Sequence, residues 1–485
     1  MSGDNNLLKA LTLIVLVLYI TNANAEPSSL FANWDILDVE GSIPRSAAGN
    51  AISRDEECND WKTPITLTLP AAVKQAWCAS PRSREAWANI KAQTSALGIS
   101  RASYLPTLSA NVQSDMSTTV TAVEDHPEFS SGLRRVTATQ SLTLDWLLLD
   151  FGRRRAVERT NIELLTAAHA NHAGILLEIL SDIAKDYYAA QAYLGALNAA
   201  LSIEETAIAS TAVALGRVER GVAPISDSLQ AQTALADASL ARTKAEGDRL
   251  IALGGLANRM GLAPDTPLTL LPIGVDVEAQ ASVSTAAVSE LIALAQASHP
   301  RIAEALARQN AASERVAQAN AEFLPKLSFS ARASHNNAPV TASLGASQLP
   351  AMMREKSIGL QLSIPIFDGL SREYQKRQLI YQVEAEKARL DAARQQVAAD
   401  VWNGFQGLQV ARSTVSQANA LLLVAQSAYD VSKERYFVGV GMITDLLNAQ
   451  SALATAKRRQ IQAFADWRTA QTLLTSKLGT LSLPL

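Results

Sequence analysis

The sequence predicts a mainly α-helical protein that carries membrane-type β-strands, with the whole plan written twice. Three observations predict this. Landmark residues recur 218 or 219 positions apart along almost the entire chain. Each half holds two segments in which apolar and polar residues alternate. Each alternating pair is followed by a long stretch free of proline.

The repeat is read from its landmarks. Tyr104-Leu-Pro-Thr-Leu-Ser-Ala110 returns as Phe323-Leu-Pro-Lys-Leu-Ser-Phe329, and Ser80-Pro81 returns as His299-Pro300, both 219 apart. Leu149-Asp150 returns as Phe367-Asp368, Gly221 to Asp227 as Gly439 to Asp445, and Met260-Gly261 as Leu478-Gly479, each 218 apart. Solenoid units run about 20–50 residues, so this is a duplicated structural half and not a stacking repeat. The first repeat is assigned to residues 66–280 and the second to 281–485.

Upstream, the chain opens as an exported protein. Lys9 precedes an apolar run from Leu11 to Ile20, and Ala23-Asn24-Ala25 forms a small-residue cleavage site before Glu26. Residues 1–25 therefore read as a signal peptide, because the apolar run is too short to span a bilayer. Residues 26–65 lack a clear period and read as an N-terminal extension. Cys58 and Cys78 are the only cysteines, and an oxidising compartment would let them pair without the spacing establishing that they do. Neither adjoins the cleavage site, so a lipid-modified N-terminal cysteine is not expected. The net charge of −3 gives no support to a nucleic-acid partner.

Within each repeat the elements come in a fixed order. Residues 66–103 and 284–322 read as helices, each broken before a proline, which disfavours helix in the residue preceding it. A β-hairpin follows at about 105–146 and again at about 324–366. In the first, Val136, Ala138, Gln140, Leu142, Leu144 and Trp146 alternate with Thr137, Thr139, Ser141, Thr143 and Asp145. Alternation over roughly ten residues marks a membrane β-strand, although a half-buried soluble sheet alternates too. Segments 114–134 and 334–356 read as exposed loops.

The helices that follow favour the membrane reading. Asp150 to Gly221 and Asp368 to Gly439 each cover 71 positions without proline, room for a helix on the order of 100 Å. Gly174, Gly195, Gly216, Gly404 and Gly407 mark bends, close contacts or breaks into shorter helices. A Gly-Val turn and a returning helix of about 40 residues complete each half. Four strands cannot close a barrel, and open edges are not tolerated in lipid, so copies must pool strands. Two copies would supply eight strands and three would supply twelve.

The chain resembles the TolC-like outer-membrane efflux and export proteins of Gram-negative bacteria. The resemblance covers roughly residues 66–480 and rests on Leu105-Pro106 and Leu324-Pro325 before the first strand of each half. It rests also on Leu148-Leu149-Asp150-Phe151-Gly152-Arg153-Arg154, on Pro365-Ile366-Phe367-Asp368-Gly369, and on Arg435 to Gln450. It implies a homotrimer whose twelve-stranded β-barrel, four strands per protomer, sits in outer-membrane lipid and continues as a long α-helical barrel through the periplasm. The implied function is a passive exit channel of a tripartite system, joined to a periplasmic adaptor (membrane fusion) protein and an inner-membrane transporter. Type I protein secretion, as of a toxin through an ABC-type transporter, is the leading expectation, and small-molecule efflux is the alternative. A periplasmic coiled-coil scaffold or adaptor is the alternative from another class.

The same resemblance places Gly221, Val222, Gly439 and Val440 at the periplasmic tip, where the adaptor docks. Asp227 and Asp445 stand six residues beyond their glycines and become pore-aperture candidates, with Asn448 at the family's second acidic position. Both acids equally suit the first turn of a helix, where they complement its dipole. Arg217 and Arg435, four residues before their glycines, and Tyr436 are candidates for a latch built on salt bridges between helices. The run Arg153-Arg154-Arg155 reads first as a solvated face.

Enzyme signals fail for want of companions. Asp150-Phe151-Gly152 copies a kinase triplet without a phosphate loop, and Gly439-Val-Gly441 lacks a βαβ frame. His169 and His172 read as surface decoration rather than a metal pair. No catalytic group, cofactor or metal site is expected.

Overall fold

The computed structural model describes residues 66–126, 130–271, 288–338, 340, 349 and 351–480. The expected signal peptide, the N-terminal extension and Cys58 lie outside the described residues. Cys78 is disulfide-bonded. All described residues belong to one compact unit, Pro44–Leu485.

The first half runs α1 (Leu69–Ala79), α2 (Pro81–Ala102), β1 (Thr107–Thr121), β2 (Ser131–Leu149), α3 (Arg153–Glu219) and α4 (Ile225–Arg259). The second repeats it as α5 (Val288–Ser298), α6 (Pro300–Glu322), β3 (Lys326–Asn336), β4 (Met353–Ser363), α7 (Ser371–Phe437) and α8 (Ile443–Lys477). The prolines act where expected. Ser80 and His299 are extended (ψ 127° and 129°) and separate α1 from α2 and α5 from α6, with Pro81 and Pro300 opening the next helix.

The long helices are unbroken. Both α3 and α7 contain 67 residues, about 100 Å at the helical rise, and both α4 and α8 contain 35. Glycine therefore does not divide them. Gly195 instead marks a close approach, since a Cβ there would meet Ile461 Cγ2 at 2.9 Å. Helix α3 is the hub, packing on α1, α2, α4, α6 and α8, while α7 packs on α5, α6 and α8.

Buried positions on α7 show why such helices pair along their length. Leu390, Val397, Val401, Leu408, Val415, Ala418, Ala425, Tyr429 and Tyr436 follow one another at steps of 7, 4 or 3. That is a coiled-coil seam only one residue wide, which keeps a narrow contact line aligned over many turns. The seam feeds three core clusters, one joining Leu390, Val397 and Val401 to Ile302, one around Leu408, Phe464 and Trp467, and one around Tyr436, Leu446 and Leu453. Off the seam, Leu421, Leu423, Val424 and Val431 stay exposed.

The four strands form one antiparallel sheet in the order β1-β2-β3-β4. Strand β2 pairs with β3, which joins the halves, and the register shifts between Leu147 and Leu149. The first hairpin is longer than expected, because pairing continues from Ser114↔Ala138 to Thr121↔Ser131 through residues expected to loop. Backbone pairing there does not depend on apolar side chains, so the alternation signal faded before the strand did. β1 and β4 each leave one edge unpaired among the described residues. Among the described residues, no helix is long and apolar enough to cross a membrane.

Candidate functional site

Three features of the chain bear on function: the two-faced sheet, the strand-to-helix junctions and the helix turns. On one face of the sheet, register places Leu108 opposite Leu144, Met116 opposite Val136, Trp146 opposite Phe329, and Phe329 opposite Leu360. The other face carries Gln113, Asp115, Thr139, Ser330, Arg332 and Gln361 among others. Leu108, Val112, Met116, Ile358 and Leu360 are all exposed. An antiparallel sheet with one bare apolar face, one polar face and two open edges matches a wedge of a membrane barrel.

At the junctions the same device occurs twice. Asp150 accepts from the backbone N–H of Arg154 at 2.9 Å and pairs with its guanidinium at 3.1 Å. Arg154 also donates to the carbonyls of Ser103, Leu147 and Leu148 and lies 4.8 Å from the Tyr104 ring centre. One arginine thus ties α2, β2 and α3 together. In the second half Asp368 pairs with Arg372 at 2.6 Å, and Arg372 donates to the Pro365 carbonyl and lies over Phe323. Between acid and base, Phe151-Gly152 and Gly369-Leu370 each supply two consecutive left-handed residues. Arg154 is buried, so the expected solvated face does not hold for the middle of the arginine run.

The helix turns close with the same motif, the second adding a bond from the Gly441 N–H to the Arg435 carbonyl at 3.0 Å. Gly221 and Gly439 have φ of 73° and 89°, the left-handed region open to glycine. Val222 N–H bonds the Arg217 carbonyl at 3.0 Å and Gly221 N–H the Val218 carbonyl at 2.9 Å. Val440 bonds Arg435 and Gly439 bonds Tyr436 in the same pattern, a Schellman closure. Such a closure usually packs its last apolar residue on its own helix. Here Val222 and Val440 are 63% and 70% exposed, and Ile225 and Met442 are exposed beside them.

Around these turns the repeat symmetry breaks. The Arg217 guanidinium donates to the Tyr436 backbone carbonyl and lies 4.8 Å from the centre of its ring. Tyr436 is 1% exposed, and its hydroxyl has no hydrogen-bond partner. Burial pushes its pKa up, the Asp227 carboxylate adds to the rise, and Arg217 opposes it. So Arg217, Tyr436 and Asp227 come together on α3, α7 and α4. Val218 occupies the position equivalent to Tyr436, and Arg435 is exposed. The contact is not the salt bridge that the spacing suggested but a cation over a ring plus a carbonyl. Asp445 and Asn448 are exposed and three positions apart on α8, hence on one face.

Farther along, a cavity of about 410 Å³ opens where α2, α3, α6, α7 and α8 meet. Arg301 and Lys477 pair with Asp400 there at 3.7 and 3.6 Å. His299 Nδ1 caps α6 by accepting from the Arg301 N–H at 3.1 Å. Burial, with help from Arg301 and Lys477 and against Asp400, lowers the His299 pKa to about 4. Sequence reasoning noted His299-Pro300 only as a helix break. Asp150 with Arg154 was equally missed, although an acid and an arginine four apart, repeated at 218, carried the signal.

Comparison with known proteins agrees with this geometry. The outer membrane efflux protein family profile matches residues 72–262 and 291–480. The chain is 31% identical to Protein CyaE of Bordetella pertussis, over 86% of this chain and 84% of that one. It is 25% identical to the alkaline protease secretion protein AprF of Pseudomonas aeruginosa, over 54% of this chain and 53% of that one. The outer membrane protein VceC of Vibrio cholerae shares the fold, with a TM-score of 0.69, 18% identity, and coverage of 85% of this chain and 96% of that chain. The chain belongs to the outer membrane efflux protein family, outer-membrane channels of Gram-negative bacteria that extend into the periplasm. These are channels and not enzymes.

Proposed function

We propose that this member of the outer membrane efflux protein family is the exit duct for a protein cargo in a type I secretion system. Family channels work as trimers with periplasmic adaptors and inner-membrane transporters. In this proposal the transporter is of the ABC type, and residues 66–280 and 281–485 supply equal halves of each protomer's wall. The four-stranded sheet, apolar on one face and unpaired at both edges, is the observation that carries the channel reading. Three such sheets give twelve strands, enough to leave a hollow lumen. AprF, an alkaline protease secretion protein, supports the cargo reading.

The tip would work as a gate. Arg217 and Tyr436 hold the α3–α4 turn against α7, with Asp227 beside them, while exposed Arg435 is free to engage another protomer. Asp445 and Asn448 would line the aperture as rings of three, one acidic and one neutral. Val222 and Val440, displayed beyond Gly221 and Gly439, offer the adaptor an apolar tip. Docking would strip water from that surface and loosen the latch behind it.

Deletion of the gene in its source bacterium tests the cargo. Loss of one secreted polypeptide from the medium, restored by the intact gene, is the expected result. The family's description as efflux proteins supports a second reading, small-molecule export. An unchanged set of secreted proteins together with new sensitivity to small toxic compounds would select it. The family match removes the soluble scaffold alternative.

A further inference from the structure

On β3 and β4 the apolar face of the sheet is interrupted only by bases, and all three gather at the loop end. Register and alternation place Arg354 and Lys356 of β4 and His335 of β3 on the face that carries Leu327, Phe329, Ile358, Leu360 and Leu362. His335 stands directly opposite Arg354, and Lys356 opposite Ala333, one same-face step inward. Within the strands this face carries no acid, whereas Asp115, Asp145 and Glu355 all lie on the other. Arg354 and Lys356 are exposed, and neither has an ion-pair partner among the described residues. The Nδ1 of half-buried His335 also lacks a hydrogen-bond partner there.

Their height is as telling as their sign. Arg354 lies eight residues beyond Leu362, roughly 27 Å along the strand and roughly 20 Å along the membrane normal at ordinary barrel tilt. The outward apolar band of such barrels is about 25 Å tall, so these cations stand at its upper rim. A cation facing lipid costs about 2–4 kcal/mol at mid-membrane and nearly nothing at the interface. The loop end of the sheet points away from the periplasmic helices, which puts the rim at the outer leaflet.

Resting on the outer-membrane channel reading, we propose that Arg354, Lys356 and His335 form a binding site for the phosphates of the glycolipid in the outer leaflet, lipopolysaccharide. A phosphate offers several acceptor oxygens to a guanidinium and an ammonium held side by side, which suits this pair. Apolar Ile358 and Leu360 immediately below would receive the acyl chains. Each protomer of the assembled barrel would carry one such site.

The test is lipid binding by the full-length trimer in mild detergent, read by native mass spectrometry. The probes are lipid A bearing its phosphates and lipid A with both removed. Wild type should bind the phosphorylated form more tightly than R354Q/K356Q by roughly thirtyfold, from the worth of two cations at a membrane surface. Both proteins should bind the dephosphorylated form equally weakly. R332Q, on the opposite face at the same end, should behave as wild type. If the double variant fails to assemble, K356Q alone should show a smaller loss in the same direction. Equal binding by wild type and variant, no preference for phosphates, or full displacement by millimolar inorganic phosphate would each overturn the proposal. Fractionation keeps the two readings apart: a wild-type protein absent from outer membranes fails the channel reading, and one present there without phosphate-dependent binding fails only this site.

Discussion

Arg217 and Tyr436 meet across the duplication: 219 positions apart, they stack at 4.8 Å and share a bond from guanidinium to backbone carbonyl. The contact has no twin, because Val218 stands where a second tyrosine would be. A cation over a desolvated ring contributes roughly 0.5–2 kcal/mol, and a hydrogen bond from a charged donor about 1.5–3 kcal/mol. If this contact latches the tip, R217A and Y436A should raise single-channel conductance in planar bilayers. Y436F should not, since the phenol hydroxyl bonds nothing. R435A, changing an exposed side chain, should have the smaller effect. Equal conductance in all four proteins would discard the latch.

Tyr436 also sets the latch's alkaline limit. Its pKa is raised by burial and by Asp227, so its contribution is complete below the ordinary value of 10.0. That contribution disappears only as pH climbs through the raised value. Conductance of the wild-type channel should therefore stay flat from neutral pH to about 9. A step between those values would place a different group in the latch.

The junction arginines should differ in worth. Asp150 and Arg154 have side chains only 7% exposed, and removing one partner of such a pair costs about 3–5 kcal/mol. Asp368 and Arg372 are 33% and 20% exposed, so solvent screens the loss. Thermal melting of the trimer should rank R154A well below R372A. R154K should also melt low, because an ammonium cannot reach three carbonyls and a carboxylate at once. Equal melting of R154A and R372A would refute the ranking.

These junctions show what was readable and what was not. Long helices were legible, since 71 positions without proline leave little else, and so were the breaks at Pro81 and Pro300. Which of the readings of their glycines would hold was not, because the close contact at Gly195 exists only once Ile461 lies across it. The arginine run was read by composition, which favours solvent, whereas Arg154 is held inside by Asp150 four residues earlier. The tip's acids carry the same lesson. Their repeat spacing made Asp227 and Asp445 look equivalent, yet only Asp227 is close enough to raise the Tyr436 pKa. Which helix of one half packs on which of the other is a tertiary fact, and no local pattern encodes it.

His299 makes the body of the protein sensitive to acid. Its neutral imidazole caps α6, and its pKa falls from 6.5 to about 4 through burial first, then Arg301 and Lys477. A depressed pKa contributes stability fully above 6.5, and the contribution fades as pH drops toward 4. Amide exchange at the start of α6 should therefore speed up across that window. H299N retains a capping acceptor but cannot titrate, so its exchange should be nearly independent of pH there. A wild-type profile as flat as that of H299N would show that the cap does not titrate.

The aperture can be tested through the one position where its charge is missing. Asp445 and Asn448 lie three apart and exposed on α8, so a trimer would present one ring of carboxylates and one of amides. Stacked acidic rings bind divalent cations far better than single ones, because each carboxylate raises the cost of leaving its neighbours unneutralised. N448D, which adds three carboxylates to the trimer, should therefore let magnesium block the channel at a concentration lower by at least roughly tenfold, since even one added close charge is worth about that much. D445N should move the block the other way. The exchanged pair D445N/N448D should resemble wild type, since it keeps one acidic ring and shifts it by less than a helical turn. If neither single substitution changes magnesium block, these side chains face away from the lumen and the aperture lies elsewhere.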